Sequence, residues 1–310
     1  PKIEHLPYFA TYILLAMLSF WLQAARWKYF FSDADRTKIE TFFPSVMAGH
    51  FFNTILPMRV GEIIKPYHLS SKYQIPFKPV VTTCIADKLI DIAAIGAIAF
   101  IIFYQTILNT ISIGFQATTL LYVLIAIVTA GIIYYFLKYA YTKDTADLKR
   151  YLERSVIEYK NALRILENIK DFQKITGIVL LTVLLWILVV AGNFTLLYAT
   201  GLPEKLITID TAVYITVCTT FAYAIPSAPA SLGTYNYAVV LALEQALLKN
   251  NIAANPEMQN TIVLASGIFY LVSILPDFIA GLFLVMAERK FVLAVLRGNW
   301  RGSFPGRNST

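Results

Sequence analysis

Arg59, Glu62 and Lys65 fall within two helical turns of one another, just after Asn53 and Pro57, in "NTILPMRVGEIIKP". A guanidinium beside an ammonium can hold an anion, and a glutamate one turn on orients the guanidinium. The plainer alternative is a structural ion pair between Arg59 and Glu62. Asp87 and Asp91, four apart in "ADKLIDIAA" with Lys88 beside them, share one helix face and suit pairing with Arg59 or Lys65. A third polar group lies in "IPSAPASLGTYN": Pro226, Ser227, Pro229, Ser231, Gly233, Thr234, Tyr235 and Asn236. Asp277 follows Pro276 inside an apolar run, where a kinked helix with a carboxylate suggests a proton or cation relay.

Those groups sit in a chain built for lipid. Of its 310 residues, 57% are hydrophobic and only 15% charged, against about 25% in soluble domains. The mean hydropathy is +0.61. The balance of 26 Lys+Arg to 19 Asp+Glu, a formal +7, reads as cytoplasmic loops and anionic-lipid contact, not nucleic acid. The 14% aromatic content suits interfacial belts. Cys84 and Cys218 both lie in apolar runs and read as inert core thiols. His5 and His68 read as interfacial, and His50 as a hydrogen-bonded packing residue that could titrate.

Five apolar runs reach spanning length: 8–31, 80–106, 118–138, 175–200 and 259–287. Two others are interrupted, 42–66 around Pro57 and Gly61 and 210–249 around Pro226, Pro229 and Gly233. Proline removes a backbone donor and glycine frees φ, so each reads as a helix hairpin. Basic residues concentrate in 26–38, in 138–174 and after 288, whereas 107–117 holds none. All basic loops fall on the cytoplasmic side if both interrupted regions return to the face they entered from. The first hairpin then enters from the cytoplasm and the second from outside.

The fold expected is therefore all-α: a polytopic membrane helix bundle with two oppositely oriented re-entrant hairpins, like an inverted-repeat transporter. Residues 1–288 form that domain and 289–310 a disordered cytoplasmic tail. Within 143–174 the stripe Leu148, Leu152, Val156, Tyr159, Leu163, Leu166 and Ile169 marks a cytoplasmic amphipathic helix.

Four stretches together, "AARWKYFF", "FFNTILPMRVGEIIKPYHL", "ADKLIDIAA" and "PSAPASLGTYNYAVVLALE", resemble a known family. It is the transmembrane, flippase-like domain of lysylphosphatidylglycerol synthases (the multiple peptide resistance factor) and its stand-alone bacterial and archaeal relatives. The resemblance implies movement of lipids with modified anionic headgroups between leaflets, or a place in polyprenyl-phosphate glycan pathways. It carries a binding or structural role to Asn53, Pro57, Arg59, Gly61, Glu62, Asp87, Asp91, Pro226, Pro229 and Gly233. "PASLG" stands where the family commonly has "PGGLG", and Asn236 stands at its acidic position. The synthase's aminoacyltransferase domain is absent from this sequence.

Three functions follow as expectations. The first is a flippase that holds an anionic headgroup in a wet niche between the hairpin tips. The second is a non-catalytic subunit presenting a lipid-linked sugar to a transferase. The third is a lipid-phosphate enzyme with a metal on Asp87 and Asp91. The expected partners are membrane lipids with anionic headgroups, with a lipid-modifying transferase or a second copy as further candidates. No cofactor is expected, because no "GxxxxGK[ST]" phosphate loop occurs.

Overall fold

A computed structural model describes residues 5–31, 38–111, 172–225 and 228–298. The described residues are helical, with no strand among them. They comprise α1 (Leu6–Lys28), α2 (Ile39–Ile55), α3 (Gly61–Tyr73), α4 (Phe77–Ile111), α5 (Phe172–Leu197), α6 (Ile209–Ala224), α7 (Thr234–Lys249), α8 (Pro256–Ser273) and α9 (Leu275–Leu296). The chain divides into two compact units, residues 1–90 with 169–310, and residues 91–168. In the second unit only the C-terminal part of α4 is described. The expected span 118–138, and residues 143–171 of the expected amphipathic helix, lie outside the described residues.

Within the first unit, α1 packs along α5. Small residues make this possible: a Cβ at Gly177 would sit 3.0 Å from the ring of Tyr29, and one at Gly192 3.3 Å from that of Tyr12. The opposite side of α5 exposes Ile175, Val179, Leu180, Val183, Leu184 and Ile187. An exposed aliphatic face of that length is what a lipid-facing helix presents, since hydrocarbon solvates it without penalty. Leu6–Lys28, Phe172–Leu197 and Pro256–Leu296 are each long and apolar enough to cross a membrane.

The last of these is not the single span expected over 259–287. It breaks at Ile274 into α8 and α9, with Pro276 in the first turn of α9. Proline cannot donate to the preceding turn, so the new helix starts there. The C-terminal helix continues to Leu296, beyond the tail boundary expected at 288.

Both interrupted regions are helical hairpins. In the first, α2 and α3 run antiparallel, as three levels of contact show: Asn53 to Glu62, Gly49 to Lys65 and Ser45 to His68. In the second, Tyr223 packs on Tyr235 near the bend, and Asp210 pairs with Lys249 at the open end, 2.5 Å apart. Each bend is a short 3-10 turn opened by proline, Pro57–Arg59 and Pro229–Ser231.

The two bends share one backbone course. After the proline come two consecutive left-handed residues, Met58 (φ 61°) and Arg59 (φ 54°) in one, Ala230 (φ 53°) and Ser231 (φ 54°) in the other. An aliphatic residue and a glycine follow in both, Val60–Gly61 and Leu232–Gly233. Left-handed backbone costs an L-residue about 1–2 kcal/mol, so neither course is a default for the chain.

Gly61 is required by contact. A Cβ there would lie 2.0 Å from the carbonyl oxygen of Gly49 and 2.6 Å from Asn53 Oδ1. Gly61→Ala is expected to destabilise the protein by about 1–3 kcal/mol through overpacking against backbone. Gly267, in α8, has open space around it, so Gly267→Ala should be neutral or stabilising by up to about 1 kcal/mol. Unfolding in detergent measures both.

Candidate functional site

Most of the charged residues flagged by sequence converge where α3 and α4 meet the end of α1. Glu62 is the centre of one cluster. It accepts from Arg59 Nη2 at 3.0 Å and more weakly from Asn53 Nδ2 at 3.4 Å, and Lys88 Nζ lies 3.2 Å away. The ion pair expected between Arg59 and Glu62 is thus present. Lys88 pairs with Glu62 across the two helices.

A second cluster surrounds Asp87. Its Oδ1 accepts from Arg26 Nε at 2.8 Å, and its Oδ2 lies 3.6 Å from Lys65 Nζ. The Lys65 ammonium also stands over the Trp27 ring, 4.5 Å from its centroid. Arg26 is fully buried and donates from Nη1 to Thr182 on α5, while Trp27 Nε1 donates to Thr83 on α4. Asp87 therefore faces its cations, with 2% of its surface exposed. Asp91 lies one turn farther along α4, at the start of the other unit.

Sequence reasoning did not single out Arg26. At the end of an apolar run an arginine reads as an interfacial, cytoplasm-side residue. The signal that could have found it is Asp87: a carboxylate inside a span demands a cation from a neighbouring helix.

The second hairpin contributes differently. Its 229–231 turn packs against both the 57–59 turn and α2, so the two bends touch. Arg59 reaches across, its guanidinium carbon 5.8 Å from the centroid of Tyr223. Tyr223 continues into Tyr235 and Tyr270, at centroid separations of 5.5 and 6.1 Å. Ser231 is buried at the bend, in the backbone position that Arg59 holds in the first hairpin. Asn236 is occupied structurally: its Oδ1 accepts from Gly233 N, and its Nδ2 donates to the Ser266 carbonyl. Pro226 and Ser227 lie outside the described residues.

His68 is buried within the protein. Its Nδ1 meets Ser45 Oγ at 2.8 Å and its Nε2 meets Glu288 at 2.6 Å, while Lys72 closes on the same carboxylate. This chain ties α2 and α3 to α9 at Glu288, where the helix is locally distorted (φ −140°, ψ 44°). With Ser45 and His68 both sealed from solvent, the arrangement is a clasp and offers no accessible nucleophile.

A family model described as "Lysylphosphatidylglycerol synthase TM region" matches residues 2–281. The chain belongs to this family. The match runs through both hairpins and all of the ion pairs above except those of Glu288. Membership in the lysylphosphatidylglycerol synthase TM-region family, together with the three apolar stretches, makes the chain a membrane protein. No curated protein and no solved structure matches it.

Without Arg26, the buried Asp87 keeps only the longer contact to Lys65 and is left short of compensation. Arg26→Gln is expected to cost about 3–5 kcal/mol, and adding Asp87→Asn should recover part of that loss. A double-mutant cycle of unfolding in detergent reads the coupling, and strict additivity would contradict a direct Arg26–Asp87 interaction.

Proposed function

We propose that this chain is a lipid translocator that moves an anionic headgroup, phospholipid or polyprenyl-phosphate-linked, between the leaflets of the cytoplasmic membrane. Arg59 binds the headgroup's phosphate, with Asn53 and Ser231 near it. Glu62 orients the guanidinium. The two hairpins enter from opposite faces as an inverted repeat, and their touching bends alternate in opening the niche. The C-terminus and residues 139–174 face the cytoplasm. The chain itself performs no covalent chemistry, and homo-oligomers or a lipid-modifying transferase are its protein partners.

The observation that carries this reading is the state of Arg59. Its left-handed backbone costs about 1–2 kcal/mol. Its partly exposed pair with Glu62 returns only about 0–1 kcal/mol. The turn does not itself call for arginine, since Ser231 takes the same backbone in the other bend; an anionic ligand does. The charge count agrees. Arg26, Arg59, Lys65 and Lys88 outnumber Glu62 and Asp87, and they still do when Asp91 is added. A surplus of cations around a partly exposed arginine favours an incoming anion. The matched backbone of the two bends supports the inverted-repeat arrangement.

Reconstituted into liposomes with a fluorescent anionic phospholipid, the protein should exchange it between leaflets. Arg59→Ala should slow exchange about tenfold or more, the equivalent of at least ~1.4 kcal/mol, and Glu62→Gln should slow it less. Purified protein that alters the lipid chemically would favour an enzyme. Protein that does neither, yet co-purifies with a transferase, would favour a presenting subunit.

A further inference from the structure

One titratable pair lies apart from the headgroup niche and serves neither ion cluster. His50, on α2, places its Nδ1 3.5 Å from Asp277 Oδ1 on α9. Its Nε2 lies 3.1 Å from Gln23 Oε1 on α1. The other carboxylate oxygen of Asp277 accepts from Thr54 Oγ1 at 2.6 Å. The Phe20 ring stacks on the imidazole with centroids 3.9 Å apart. Three helices thus meet at one histidine.

We propose that His50 and Asp277 form a proton-binding site, and that a proton taken up there travels with the lipid headgroup. This rests on the translocator reading above. Both ring nitrogens face acceptor oxygens, an arrangement that suits the imidazolium, and a stacked aromatic face also favours the cation. The neutral ring fits the same site once the Gln23 amide turns over and presents its NH2. The site therefore accepts either protonation state without leaving a ring nitrogen unpaired.

The surroundings leave the proton as the means of balancing charge. No lysine or arginine among the described residues pairs with Asp277. Tyr12 of α1 and Tyr223 of α6 lie within electrostatic range of it, and Arg59 stands over Tyr223. A charge left uncompensated in a span costs about 2.5–3.5 kcal/mol. With His50 protonated the pair is neutral; with His50 neutral it carries one negative charge. An anionic headgroup bound beside Arg59 favours the protonated pair, and the protonated pair favours the headgroup. That reciprocity couples the two.

The pair is also placed to act on the bends. Thr54 and His50 occupy the last two turns of α2 before the break at Leu56, and the 229–231 turn rests on α2. Protonation changes how tightly α2 is tied to α9 at that level.

The test uses the full chain in liposomes carrying fluorescent phosphatidylglycerol, with membrane potential clamped and a pH difference imposed. With one proton per lipid, the label should accumulate in the leaflet facing the more alkaline side, about tenfold per pH unit. Asp277→Asn and His50→Gln should abolish that accumulation while label still exchanges. Exchange indifferent to the pH difference in the unaltered protein, or accumulation surviving in both variants, overturns the proton site and leaves translocation standing. Should the variants fail to fold, calorimetry of phosphatidylglycerol binding to the unaltered protein decides. Binding heat should depend on the ionisation heat of the buffer; heat independent of buffer overturns the proposal. Loss of both exchange and binding overturns the translocator reading itself.

Discussion

Hydrocarbon offers no hydrogen bonds, and that constraint governs everything else in this chain. Wherever the helix is interrupted at membrane depth, the protein must supply the cover that lipid cannot. Here the chain bends at 57–59 and at 229–231, and the two bends touch. That contact joins the two hairpins at their tips. It also brings Arg59, from one hairpin, over an aromatic ring from the other.

The charged residues divide by burial into two kinds. Arg26, Lys65 and Asp87 are sealed among α1, α3 and α4, and removing Asp87 would leave two buried cations without their shared carboxylate. They hold the α3–α4 corner in place. Arg59, Glu62 and Lys88 are each partly exposed, and pairs of that exposure contribute little to stability. The first kind fixes a scaffold on which the second can meet a ligand. Asp87, read from sequence alongside Arg59 as a ligand contact, belongs by its surroundings to the scaffold.

Much of this was legible in the residues. Pro57, Gly61, Pro229 and Gly233 are strong local signals, because each changes what the backbone can do at its own position; both bends fall where they stand. The Arg59–Glu62 pair follows from helical spacing. What could not be read depended on helices distant in sequence. Arg26 meets Asp87 only because α1 packs beside α4, and His68 is buried only because α9 covers it. The break at Ile274 was half visible: Pro276 marked a kink, but a kink and a full stop look alike until the packing of α8 and α9 distinguishes them. Asn236 likewise looked available until Ser266 was found opposite it.

The first hairpin is fastened at three heights, by Asn53 with Glu62, by Gly49 against Gly61, and by Ser45 with His68. Two helices bound so closely have no room to slide or splay. They form one body, and His68–Glu288 and His50–Asp277 tie that body to α9. Whatever those ties hold in place, they hold for the whole hairpin, as far out as Arg59.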